Sequence, residues 1–278
     1  MSASMNPVSP SVTPPPDKRV ILEASGLSKR FGGLLANDDV SLSLGTETGK
    51  VTSVIGPNGA GKSTFFKMLA GFCTPTTGKV RLFGEDITGL NPHKISARGL
   101  VRTFQETTIF PELTALEHVA LARQLSRSAN DFQVFANTLS ARRDEDRMRA
   151  DALEILRFLD LDGVASSVAK TLPHGYLRLL GIAMGMAASP KVLLLDEPYA
   201  GLNPDETDRA VELTRKIAAS GVSILLVEHD MKAVMKISDH IHVLYFGKKI
   251  AEGTPEEIRN NEQVIEAYLG KEDEDIGL

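Results

Sequence analysis

Residues Gly56-Pro57-Asn58-Gly59-Ala60-Gly61-Lys62-Ser63-Thr64 follow the apolar run 51–55 and precede a helix-like stretch that stops near Gly71. Strand, glycine-rich loop and helix in that order are the context of a phosphate-binding loop. Glycine lets the backbone curl until several N–H groups and the positive end of the next helix aim at one anion. Lys62 adds a mobile full charge for the outer phosphates, and the Ser63 hydroxyl is placed to hold a Mg2+ that bridges them. A plain turn before an ordinary helix accounts for the glycines but not for the whole pattern. The stretch predicts an α/β sheet with this loop at a strand's carboxyl end and a nucleoside triphosphate as ligand.

The chain supplies such a sheet. Runs 191–195 and 222–227 are apolar but for Lys191 and Ser223, as central parallel strands covered on both faces are, and 204–219 between them reads as an amphipathic crossover helix with Pro204 in its first turn. Shorter strands are expected at 20–27 and 38–44 around the turn-like Phe31-Gly32-Gly33, at 50–55, at 100–104, and at 79–83, where weak alternation suggests an edge. Gly84, Gly89 and Pro92 read as turns, and 241–246 with 248–251 as a hairpin about Gly247. From about 114 to 187 the period becomes helical. Thr114 to Glu117 forms a capping box, 147–161 carries a leucine face, and 175–188 is mostly apolar. The charged stretch 142–146 fits a connection or a helix surface, and Thr254-Pro255-Glu256-Glu257 opens a terminal helical stretch. The expectation is one domain over 20–270 with an α-helical subdomain inserted at about 106–188, a Pro-rich disordered tail at 1–19 and an acidic tail at 271–278.

With 278 residues the chain can bury a full core, and no apolar run approaches the roughly 18–20 residues of a membrane span. The first residues lack the apolar centre of a signal peptide. Cys73 is the single cysteine, so no internal disulfide is possible and a reducing compartment is expected. A net charge of −5 without a basic block argues against a nucleic-acid backbone as partner.

Four apolar residues lead into Asp196-Glu197. Ligands gather at the carboxyl ends of parallel strands, so this pair should emerge beside the phosphate loop. Asp196 suits the Mg2+ shell through water; Glu197 suits the orientation or deprotonation of a water attacking the terminal phosphate. Alone, the pair reads first as an acidic turn after a strand; downstream of a phosphate loop the catalytic reading takes precedence. Gln105 and His229 also end apolar runs. Taken singly each reads as an ordinary loop residue, but the shared position makes Gln105 a candidate for the metal or the attacking water and His229 one for the terminal phosphate. Phe31 reads as packing or as a ring to stack on a purine.

In this order and spacing, the phosphate loop, Gln105, Asp196-Glu197, the turn Ala200-Gly201-Leu202-Asn203-Pro204 and His229 resemble the Walker A, Q-loop, Walker B, D-loop and H-loop of ABC transporter ATPases, over about 22–270. The resemblance implies the P-loop NTPase ABC ATPase fold with a mixed sheet core, ATP and Mg2+ as cofactors, and ATP hydrolysis. It also implies a sandwich dimer in which each nucleotide lies between one subunit's phosphate loop and the other's signature helix. Phe31-Gly32-Gly33-Leu34, the 84–90 stretch, Arg102-Thr103-Phe104-Gln105, the 110–114 stretch and the 266–270 stretch are similar to the Liv-type branched-chain amino acid importer ATPases, LivG-like subunits nearest. That implies two transmembrane permease subunits, a second ATPase subunit, in a heterodimer or alternatively a homodimer, an indirect extracytoplasmic solute-binding protein and a place on the cytoplasmic face of the membrane. Relatives of that branch carry urea or short amides, which is the alternative cargo. A soluble ABC ATPase acting on ribosomes or nucleic acid fits less well, since those usually carry two cassettes or a long coiled-coil insertion. A kinase would need an acceptor site that no stretch suggests.

One motif departs. Where the family has Leu-Ser-Gly-Gly-Gln, this chain reads Leu172-Pro173-His174-Gly175-Tyr176. Pro173 offers neither hydroxyl nor N–H to a phosphate, which leaves the N–H groups near Gly175 and the helix dipole.

Overall fold

The structure, a computed structural model, describes residues 20–45, 47–103, 109–127 and 139–269. Gln105, Glu106 and the tails expected at 1–19 and 271–278 lie outside them. The chain begins with strands β1 (Leu22–Phe31), β2 (Leu34–Leu44) and β3 (Val51–Ile55), then helix α1 (Lys62–Leu69). β4 (Thr77–Leu82), β5 (Glu85–Asp86), α2 (Pro92–Ala97) and β6 (Leu100–Arg102) lead to three longer helices, α3 (Ala115–Arg127), α4 (Leu139–Phe158) and α5 (His174–Ala187). β7 (Val192–Asp196), α6 (Pro204–Ala219), β8 (Ser223–Val227) and α7 (Met231–Ile237) follow, and β9 (His240–Tyr245), β10 (Lys248–Gly253), α8 (Pro255–Arg259) and α9 (Glu262–Leu269) close the chain.

Two sheets result. One is antiparallel in the order β2-β1-β4-β5; the other runs β10-β9-β3-β8-β7-β6, parallel from β9 to β6, with β10 antiparallel at one edge. Alternate residues of its central strands enter different cores. Leu193, Leu195, Ile224 and Leu226 pack towards the helices, while Val192, Leu194, Leu225 and Val227 pack towards α1 and the antiparallel sheet. A strand clothed on both faces has no polar side, which explains the apolar runs.

Helix α1 sits between the sheets and touches β1, β2 and β7. Phe65 and Phe66 are fully buried there, each contributing about 1.5–3 kcal/mol by removal from water. Its end is a Schellman turn: the Phe72 N–H donates to Lys67 O at 2.9 Å and the Gly71 N–H to Met68 O at 3.3 Å, with Gly71 left-handed at φ 76°. A β-carbon on Gly71 would strike the Leu90 carbonyl. Gly71→Ala is therefore expected to lower stability by about 2–4 kcal/mol, from the left-handed backbone and the collision together. A chemical-denaturation midpoint unchanged from wild type would refute this.

Short elements depart from the sequence reading. Pro92 starts α2 where a turn is expected, because proline suits a helix's first position as well as it suits a loop. Helix α7 is held at its start by Asp230, whose carboxylate accepts from Lys232 N and Ala233 N. β4 is not an edge, since the two-residue β5 covers it. The charged stretch 142–146 falls within α4. The capping boxes at Thr114 and Thr254 are present.

Candidate active site

Three adjacent parallel strands end side by side. β3 delivers the 56–64 loop, β8 delivers Glu228 and His229, and β7 delivers Asp196 and Glu197. The loop is anchored from beneath. Gly56, at φ 149°, lies so close to the Leu244 carbonyl that no β-carbon fits. The Gly247 N–H donates to Ala60 O at 3.1 Å, the Asp38 N–H to Gly247 O at 2.8 Å, and the Asn37 side-chain amide to Gly61 O at 3.3 Å. The β9–β10 turn and β2 thus set the loop's path. No side chain caps α1 at Gly61, as suits a helix start that receives an anion. Lys62 is buried, and its ammonium donates to Gly56 O at 2.6 Å and Pro57 O at 3.0 Å. Its position at the base of the loop is that of a cation ready to turn towards phosphate.

Asp196 is 2 % exposed. Its Oδ2 accepts from Arg102 Nη2 at 2.5 Å, while Oδ1 has no hydrogen-bond partner among the described residues. A buried carboxylate oxygen left over at the carboxyl end of β7, with one strand between it and the end of β3, is a donor of the kind that suits a hard divalent cation or its water, so the residues are compatible with Mg2+. Glu197 follows in a left-handed conformation, φ 48°, fixed by its N–H donating to Val227 O at 2.8 Å. Non-glycine residues seldom take this conformation, and it turns the chain sharply where the strand stops.

Two residues outside the sequence-derived set hold this edge together. Arg102 is one. The other is Glu228, 1 % exposed, whose Oε1 accepts from the Tyr199 N–H at 2.8 Å and whose Oε2 accepts from the His229 N–H at 3.0 Å. It thereby ties the turn after Glu197 to the backbone of His229. Burial raises its pKa, and the backbone donors oppose that rise. The available signal was a charge placed directly after the apolar run 224–227. The His229 ring stands more than half exposed, its Nδ1 3.9 Å from Glu228 Oε2.

The remaining candidates lie elsewhere. Phe31, half exposed at the end of β1, has the Lys29 ammonium 5.0 Å from its ring centre. Pro173 caps α5 and His174 begins it. This turn stands against the start of α6: a β-carbon on Gly175 would come within 2.6 Å of Glu206 Oε1, and one on Gly201 within 3.1 Å of the His174 ring. Arg209 lies 5.6 Å from the centre of the Tyr176 ring. Glu206 also closes the capping box with Asn203, so one carboxylate fixes both the 200–204 turn and the packing of α5.

The family described as ABC transporter matches residues 39–200, and that described as branched-chain amino acid ATP-binding cassette transporter matches 248–274. The chain is 48% identical over 254 residues to the high-affinity branched-chain amino acid transport ATP-binding protein BraF of Pseudomonas aeruginosa, covering 91% of this chain and 99% of that one. It is 43% identical to LivG of Escherichia coli K12, covering 90% and 98%. Among solved structures, the ADP conformation of MJ1267, an ATP-binding cassette of an ABC transporter, superposes with a TM-score of 0.78 at 30% identity, covering 90% of this chain and 99% of that one. No described helix is long and apolar enough to cross a membrane.

Proposed function

The chain belongs to the ABC transporter ATP-binding proteins, and from that premise we propose that it hydrolyses ATP to drive uptake of branched-chain amino acids. The observation that carries the reading is that the 56–64 loop, Asp196-Glu197 and His229 follow the carboxyl ends of three neighbouring strands of one sheet, in a chain that matches BraF and LivG almost end to end. The loop N–H groups and Lys62 hold the phosphates. Ser63 and Asp196, with Gln105, are the residues to hold Mg2+, which when bound neutralises charge between the outer phosphates. Glu197 takes the proton of the attacking water, and His229 donates to the terminal phosphate. Phe31 offers its exposed ring to the base. ATP closes a dimer and hydrolysis reopens it; membrane permease subunits receive that motion on the cytoplasmic side.

The test is uptake. In cells lacking this ATPase but retaining its permease and solute-binding proteins, restoring the chain should restore uptake of leucine, isoleucine and valine. Restored uptake of urea or short amides without these amino acids would assign the other cargo.

The 173–176 turn suggests a second feature. Proline at the helix cap removes an N–H that an anion could use, and a signature helix serves the partner's nucleotide. The transporter then pairs this chain with a different ATPase subunit and has unequal sites. In the reconstituted complex, single-turnover hydrolysis should be biphasic, with one site at least tenfold slower; equal rates at the two sites would exclude the asymmetry.

A further inference from the structure

On the β9–β10 hairpin, His240, His242 and Glu252 each offer a ligand atom, and these atoms lie within 4.8 Å of one another. Their convergence follows from register. His240 and His242 are two apart on β9 and so share a face, and Glu252 is the cross-strand partner of His242. The opposite face, carrying Ile241 and Val243, is committed to the apolar core around α7 and α8. On the other flank, Thr52 and Val54 of parallel β3 lie beside His240 and His242.

We propose that these three residues form a binding site for a zinc-class divalent cation, distinct from the nucleotide site. Two imidazoles and one carboxylate, with a remaining position for water, form a donor set typical of zinc. A tetrahedral ion with bonds of about 2 Å holds its ligand atoms about 3.4 Å apart, so a contraction of at most about 1.4 Å brings the three into place. His242 is 3 % exposed, and neither ring nitrogen has a hydrogen-bond partner among the described residues. Its Nδ1 lies 2.9 Å from Glu252 Oε2 without the alignment of a hydrogen bond. An imidazole buried on an amphipathic hairpin without a hydrogen bond is costly unless something else uses its lone pair. The two rings are edge to face, centroids 4.9 Å apart, so both can turn a nitrogen towards Glu252. Lys249 now holds Glu252 Oε2 at 2.7 Å and is the competitor that a cation must displace.

The full chain, untagged and freed of metal by chelation, is titrated with Zn2+ alone, without nucleotide, against a chromophoric chelator. One Zn2+ should bind per chain with a dissociation constant below about 1 µM, and Co2+ in its place should give the visible absorption of a tetrahedral ion. His240→Ala and Glu252→Gln, at accessible positions that can change without opening the core, should each weaken binding at least tenfold. Zn2+ should raise the melting temperature of the wild type and not of the variants. Binding weaker than about 100 µM, or binding that neither variant alters, would overturn the site. ATP turnover in Mg2+ should stay within twofold of wild type in both variants, and its loss would contradict a site separate from the nucleotide's.

Discussion

Replacing Glu197 by Gln in the assembled transporter should lower ATP turnover by a factor of about 10²–10⁴ while leaving ATP affinity within about threefold of wild type, the range lost when a positioned base is removed. The exchange keeps size and the capacity for the left-handed backbone at φ 48°, so the N–H bond to Val227 O at 2.8 Å should persist and the turn should keep its path. What disappears is a proton acceptor. Nucleotide is gripped elsewhere, by the 56–64 loop and Lys62, so binding and turnover should separate. Phosphate release measured alongside binding of a fluorescent nucleotide tests this directly. Turnover within threefold of wild type would remove Glu197 from the chemistry, and a parallel loss of affinity would mean that the turn, not the proton, had been disturbed.

How far such residues can be read from the chain depends on whether their role is local. The phosphate loop is local: nine consecutive residues, a strand before and a helix after, carry the whole geometry. Asp196 and Glu197 are nearly so, because an apolar parallel strand announces its own carboxyl end. The long amphipathic α6 matches its expected bounds because its Asn203–Glu206 capping box lies within one turn. Short helices such as α2 and α7 escape because six or seven residues carry less than two full periods. Arg102 and Glu228 escape for a different reason. Each acquires its role from a residue far along the chain, Asp196 for one and Tyr199 for the other, brought near only by the order of the strands. His242 and Glu252 face each other only because the hairpin slips register between Lys249 and Ala251. Patterns of local periodicity do not encode such a slip.

Glu228 is where that non-local contribution should be largest. Glu228→Ala leaves the buried Tyr199 N–H without its acceptor, at about 1–3 kcal/mol, and the part-buried His229 N–H without its own at less. Since those bonds join the turn after Glu197 to His229, the cost should appear as misalignment: turnover down by about tenfold to a hundredfold, with KM for ATP within a factor of about three. Glu228→Gln retains one oxygen acceptor and sets an NH2 against the other donor, so it should recover only part of the loss. The pH dependence separates this from simple loss of packing. Burial raises the folded-state pKa of Glu228, so its contribution to stability is fully present below the ordinary carboxylate pKa and is lost as pH rises through the raised value. Glu228→Gln has no such proton to bind. The stability of wild type relative to that variant should therefore grow as pH falls from neutrality towards the ordinary carboxylate range, read as a widening gap between their denaturation midpoints. A gap that stays constant across that range, or a KM that rises as steeply as kcat falls, would show that Glu228 merely fills space.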